Sequence, residues 1–212
     1  MNDEYEKLLK KRIETVYNVT DWIWIAQDNG AWDGPKTDFE NSHREKILRH
    51  VKNFKVVIQA GGNQGMYPRL LSDMFESVYT FEPDPLNFHC LVNNCQRDNV
   101  YKFNAALGAE HAMIRVNRNV PDNTGMNTVT EDSSAHVFQM KIDDLSCLNN
   151  CDLIWLDIEG YEYNAIRGGI ELIKKFKPTV MLERPNNEVI ELLTSEGYYP
   201  RENSISDVIF AV

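Results

Sequence analysis

The chain has 212 residues, 42% of them hydrophobic, which suits one globular domain with a substantial core. Its net charge of −10 argues against nucleic acid as the main partner, because neutralising phosphates needs clustered lysine and arginine. No apolar run approaches the ~20 residues of a membrane span, and the polar start Met1-Asn2-Asp3-Glu4 has no signal-peptide pattern, so a cytoplasmic setting without a membrane partner is expected.

Residues 5–16 carry apolar side chains at 5, 8, 9, 13 and 16, a helical stripe. Trp22-Ile23-Trp24-Ile25 reads as a strand-like or buried cover segment. The following stretch, broken by Gly30, Gly34 and Pro35, reads as a loop. Loops carry much of the specificity of α/β proteins, so Asp28, Trp32 and Asp33 are candidate substrate contacts; an ordinary surface loop is the alternative. Ser42-His43-Arg44-Glu45 has the form of a capping box opening a helix through Ile47, Leu48 and Val51. Residues 1–53 are therefore expected as an N-terminal helical cap with an acceptor-side loop, and residues 54–212 as the core of a single globular domain.

Within that core, Val56-Val57-Ile58 is a short β-branched run of the kind a buried parallel strand needs. Gln59, Ala60, Gly61, Gly62, Asn63, Gln64 and Gly65 follow, several of them able to relax the backbone, and then a helix over 66–75 with Pro68 in its first turn. Strand, glycine-rich turn and helix bring backbone N–H groups up to a ligand. The spacing fits the dinucleotide fingerprint with one alanine. It also fits the (D/E)-x-G-x-G-x-G loop of S-adenosylmethionine (SAM) methyltransferases, and it excludes a P-loop, since no Lys-Ser/Thr pair follows. A second β-rich run ends in Phe81-Glu82-Pro83, placing Glu82 where nucleoside-binding α/β folds keep a ribose-binding carboxylate. Asp84-Pro85 reads as an N-cap with proline at N1, opening a helix over 86–95.

Further strands are expected at 100–104, 111–116, 135–142, 152–160, 179–183 and 207–212, with helices at 170–176 and 188–195. Asn104 and Ala105 sit where the chain turns away from the third strand, and the stretch 121–127 is a polar loop. Strands alternating with helices predict an α/β architecture, a mostly parallel sheet with helices on both faces. Asp157 and Glu159 end one core strand and Glu183 ends another. If the strand runs through both, Asp157 and Glu159 point to the same side, so the three acids can gather at the carboxyl edge of the sheet. There they can serve as a catalytic base or, alternatively, hold a divalent cation, which is not expected to be required. Cys90, Cys95, Cys147 and Cys151 are spaced C-x4-C and C-x3-C, not as zinc-type C-x2-C pairs, and read as reduced thiols.

Five phrases in order carry a family resemblance: Gln-Ala-Gly-Gly-Asn-Gln-Gly, Phe-Glu-Pro-Asp-Pro, Asn-Ala-Ala-Leu-Gly, Ile-Asp-Asp-Leu and Leu-Asp-Ile-Glu-Gly-Tyr-Glu. Together with Ile166-Arg167-Gly168-Gly169 they resemble the FkbM-type methyltransferases over residues 56–183. The resemblance implies a Rossmann-like class I fold, SAM as cofactor and O-methylation, often of sugar hydroxyls. It places Gln59 to Gly65 along the methionine part of SAM, and Glu82, with Pro83 beside it, on the ribose. Asn104 and Ala105 would border the adenine, and Asp157 would face the sulfonium. Apart from the resemblance, the strand ends make Asp157 and Glu159 the catalytic candidates, and the loop and strand end place Asp28, Trp32, Asp33 and Glu183 toward the acceptor. One departure is Gln59, where the family usually has aspartate. A SAM-binding protein without transferase activity and a nucleotide-cofactor oxidoreductase remain the alternatives.

Overall fold

The structure, a computed structural model, describes residues 22–25, 37–117, 128–130, 135–204 and 206–212. The expected helix at 5–16, the loop with Asp28, Trp32 and Asp33, and the polar loop at 121–127 lie outside the described residues. In chain order the elements begin with α1 (Thr37–His50), β1 (Val56–Ala60), α2 (Met66–Ser72), β2 (Ser77–Phe81), α3 (Pro85–Asn94) and β3 (Val100–Phe103). Then come β4 (Ala105–Leu107), β5 (Ala112–Asn117), β6 (Thr128–Thr130), β7 (Ala135–Met140) and β8 (Leu153–Leu156). The chain closes with α4 (Glu162–Arg167), α5 (Ile170–Phe176), β9 (Thr179–Glu183), α6 (Asn187–Ser195), β10 (Tyr199–Asn203) and β11 (Asp207–Ala211).

The main sheet has seven strands in the order β10-β11-β9-β8-β1-β2-β3. The five from β9 to β3 are parallel, and β11 and β10 extend them antiparallel. Alternation along each strand builds two cores. Val57, Val78, Trp155, Met181 and Ile209 meet Ile47 of α1, Leu71 of α2 and Phe75 on one face. Ile58, Ile154, Leu156, Val180 and Phe210 meet Ala165, Ile173 and Val189 of α4, α5 and α6 on the other. Helices thus cover both faces, as a buried parallel sheet requires.

Several boundaries depart from expectation. Helix α1 already begins at Thr37, so Ser42 lies inside it instead of capping it: the buried face of α1 extends past Ile47 back to His43, which stacks on Trp155 at 5.2 Å. The chain turns away from β3 at Asn104, as expected, but residues 105–107 then form β4, pairing with β7 in a second sheet ordered β4-β7-β5-β6. Strand β10 escapes sequence reading because Tyr199-Pro200-Arg201-Glu202-Asn203 is a polar, mostly exposed edge with a bulge, held by its pairing to β11. The N-cap at Asp84 is present, its Oδ1 accepting from the N–H groups of Leu86 (2.7 Å) and Asn87 (3.2 Å).

Residues 22–25 are a buried cover. The Ile23 N–H donates to Asn94 Oδ1 (2.6 Å), Asn94 Nδ2 donates back to the Ile23 carbonyl (2.7 Å), and the Ile25 N–H donates to Gln64 Oε1 (2.7 Å). Ile25 packs with Leu86 and Cys90 of α3.

Helix α1 is fixed to the sheet edge by charge. Lys46 Nζ lies 2.6 Å from Asp207 Oδ2 and His43 Nε2 lies 3.6 Å from it, all three side chains being buried. Burial alone would raise the Asp207 carboxyl, but hydrogen bonds from His43 and Lys46 outweigh it and hold it at about 2. A depressed folded value stabilises the protein above the unfolded value of about 4, and that contribution is lost as the pH falls from about 4 to about 2. Asp207→Asn is expected to cost on the order of 3 kcal/mol at pH 7, because the Lys46 ammonium stays buried without a counter-charge. Urea denaturation at pH 7, and repeated across the acid range, checks both the loss and the flatter acid limb.

Candidate functional site

Strands β2, β1 and β8 end side by side, so the turn after β1 lies between the acids that follow the other two. Both Gly61 and Gly62 donate their N–H to the Phe81 carbonyl at 3.0 Å, which folds the turn back over β2. Gly61 has φ +82°, and a Cβ there would fall 1.8 Å from the Asp157 carbonyl oxygen. Only glycine fits. Asn63 (φ +43°) and Gly65 (φ +102°) are also left-handed, as their residue types allow.

Glu82 locks this turn to β2. The residue is 4% exposed; Oε2 accepts from the Asn63 N–H at 2.7 Å and Oε1 from the Asp84 N–H at 2.8 Å. Burial pushes Glu82 up to about 8, against the lowering effect of these donors. Asn104 Nδ2 reaches across to the carbonyls of Glu82 (2.9 Å) and Pro83 (3.1 Å), joining the ends of β2 and β3, and Ala105 is buried behind it. Asn63 Oδ1 is buried with no hydrogen-bond partner among the described residues. Gln59 is 0% exposed, with its amide engaged inside the sheet: Oε1 accepts from Thr80 Oγ1 (2.5 Å) and Nε2 donates to the Ala60 carbonyl (3.0 Å).

The acids gather by a different route from the one expected. Strand β8 stops at Leu156, so alternation cannot align Asp157 with Glu159. A left-handed turn at Glu159 (φ +49°) and Gly160 (φ +88°) does so instead. Asp157, Glu159 and Glu183 each place a carboxylate oxygen within 4.8 Å of the others, close enough to hold a cation together. Asp157 is raised well above its ordinary value by burial, by its hydrogen bond to Glu183 and by that group's charge. Glu159 is raised by burial and by Glu183, with the Arg184 guanidinium opposing.

Sequence reading missed Tyr67 and Asp207. The Tyr67 and Trp155 ring centroids lie 4.2 Å apart, and the Tyr67 hydroxyl is raised by burial and by the charges of Asp157, Asp207 and Glu183. Asp207 pairs across strands with Glu183. No local pattern announces either, because both depend on which strand neighbours β9 and on how α2 lies over it. A buried carboxylate and an orphaned acceptor at a glycine turn suit a ligand rich in hydroxyl and N–H donors, and the neighbouring acids suit proton removal.

This parallel sheet with its antiparallel extension, glycine turn and acid-ended second strand defines the class I methyltransferase fold. A family model, the methyltransferase FkbM domain, matches residues 59–200, and the chain belongs to that family. Among solved structures it is similar to the methyltransferase FkbM of Methylobacillus flagellatus KT, with TM-score 0.55 and 19% identity. That match covers 74% of this chain and 43% of the other, so the chain spans less than half the length of the Methylobacillus protein. The precorrin-6y C5,15-methyltransferase of Geobacter metallireducens GS-15 matches with TM-score 0.50 and 12% identity, over 87% of this chain and 95% of that one. No curated protein matches the sequence.

Gly61→Ala should destabilise the protein by about 3 kcal/mol, combining a left-handed backbone with a clash against the β8 carbonyl. Chemical denaturation measures the loss. A change under about 1 kcal/mol would mean that the turn and β8 separate easily.

Proposed function

We propose that the chain binds SAM over the Gln59–Gly65 turn and methylates a hydroxyl of a sugar or other small acceptor. The observation that carries this reading is Glu82, a carboxylate buried at the end of β2 and tied to the glycine turn. The fit is a chemical one: the Glu82 oxygens and the orphaned Asn63 Oδ1 are acceptors suited to ribose hydroxyls and a cofactor ammonium. Asn104 and Ala105 would flank the adenine, and Asp157 would lie toward the sulfonium, whose positive charge favours its ionised form. Bound SAM supplies a methyl group on a sulfonium, open to in-line displacement. Glu159 would take the proton of the acceptor hydroxyl, leaving its oxygen free to accept the methyl group that bound SAM would supply. Glu183 supports Glu159 or touches the acceptor, and Asp28, Trp32 and Asp33 are kept as acceptor contacts on sequence grounds. The net charge of −10 favours a neutral or cationic small molecule or glycan over nucleic acid. Among the described residues no helix is long and apolar enough to cross a membrane.

Ribose hydroxyls donating to Glu82 favour its ionised form, so SAM affinity should climb as the pH approaches about 8 and flatten above it. Glu82→Ala should weaken SAM binding about tenfold or more, and Glu82→Gln should remove the pH dependence. Titration calorimetry with SAM, and with NAD as the competing ligand, tests this; unchanged affinity in Glu82→Ala would sink the assignment.

The chemistry is tested by incubating the protein with methyl-labelled SAM and a set of small hydroxylated metabolites, with RNA as a separate arm. Glu159→Gln should keep SAM affinity and lose most turnover, on the order of a hundredfold. Loss with EDTA would assign the acids to a cation instead of a base. Label on RNA, or none on any acceptor, would overturn the acceptor class.

A further inference from the structure

The turn that presents Glu159 needs an explanation, since a glutamate at φ +49° sits in a conformation non-glycine residues avoid. Its two neighbours supply one. The N–H of Ile158 (3.3 Å) and the N–H of Gly160 (3.2 Å) both donate to the same atom, Oε1 of Glu162. With the amides on either side drawn inward to one oxygen, the Glu159 backbone is driven left-handed. Its side chain is then presented toward Asp157 and Glu183. Glu162 is 3% exposed, although it stands in the first turn of α4, where glutamate normally points to water.

Glu162 also accepts from its own backbone N–H at the start of α4. The N-cap residue is Tyr161, which makes no side-chain cap hydrogen bond. Glu162 reaches backward, to residues before the helix. The turn's other bond, from the Tyr161 N–H to the Ile158 carbonyl at 3.3 Å, closes the chain on itself without selecting where Glu159 points. The carboxylate therefore holds the loop.

The geometry points to Glu162 as the positioning residue of this site, a buried acceptor that holds the Ile158–Gly160 backbone so that the Glu159 carboxylate faces Asp157 and Glu183; its bearing on turnover rests on the acceptor-side role proposed for Glu159. Glu162 touches neither cofactor nor acceptor in this scheme and acts only through the turn. What it needs is an oxygen acceptor at Oε1, and a glutamine provides one.

The experiment compares Glu162→Ala, Glu162→Gln and the parent chain by amide hydrogen exchange and by SAM binding and turnover. In Glu162→Ala the Ile158 and Gly160 amides should exchange about a hundredfold faster while Ile154 in β8 is unchanged, and Glu162→Gln should restore most of the protection. With the acceptor recovered by the labelled-methyl screen, Glu162→Ala should lose about tenfold or more in kcat at unchanged KM for SAM, with Glu162→Gln within about threefold of the parent. If Glu162→Ala does not fold, Glu162→Met keeps the volume, removes the acceptor and takes its place. Equal protection of the two amides in all variants would overturn the proposal, as would a loss of kcat matched by loss of SAM binding. Glu159→Gln, run alongside, separates the two ideas: full turnover there with the expected exchange pattern removes the role of Glu159 and leaves Glu162 holding the turn.

Discussion

The contact on which the site depends is the approach of the Gly61 backbone to the Asp157 carbonyl. A Cβ would lie 1.8 Å from that oxygen, so the turn after β1 and the end of β8 share a space that no side chain can enter. The Asp157 N–H donates in turn to the Ala60 carbonyl at 3.1 Å, continuing the β1–β8 pairing one step beyond the strands. On the other side the turn is tied to β2 by the Phe81 carbonyl and the Glu82 carboxylate. Three strand ends are therefore one rigid unit. That rigidity keeps the acids that follow β2 and β8 at a fixed separation.

The second feature is that polar residues are segregated by strand parity. Gln59, Thr80, Asp157, Glu183 and Asp207 continue the register of Val57, Val78, Trp155, Met181 and Ile209, the residues that face α1 and α2. The opposite face stays apolar to its end, through Ala60, Phe81, Leu156 and Leu182. Burying polar groups on one face is tolerable only if they are partnered. Thr80 satisfies Gln59, Lys46 and His43 satisfy Asp207, and Asp157 shares a hydrogen bond with Glu183. Helix α1 is thus more than a cover. It carries Lys46, whose ammonium is the counter-charge of Asp207 beside the acid pair.

The amide at Gln59 belongs to the same economy of charge. An aspartate there would put a further carboxylate into a fully buried position on a face that already holds Asp157, Glu183 and Asp207. The glutamine instead spends both ends of its amide inside the sheet, on Thr80 and the Ala60 carbonyl. The acids on this edge are then those at the ends of β8 and β9, beside a glycine turn that carries the Asn63 and Glu82 acceptors.

What the sequence determined by itself is whatever local chemistry dictates. The β-branched run at 56–58, the glycines after it, the Asp84-Pro85 cap and the strand ending at Glu183 each state their conformation within a few residues, and each stands where it was expected. Glu82 and the three acids were legible as candidates for the same reason, because strand ends are marked by where an apolar run stops. Tertiary structure decided the rest. It closed β10 onto β11, put β4 into a second sheet, and brought Asp207 opposite Glu183, none of which a polar edge or a three-residue strand can announce alone. It also replaced the expected alternation of Asp157 and Glu159 by a left-handed turn, held by an oxygen of Glu162. Residue type sets what a position can do, but convergence across strands is set by long-range pairing and by the few buried acceptors that hold a backbone away from its preferred conformation.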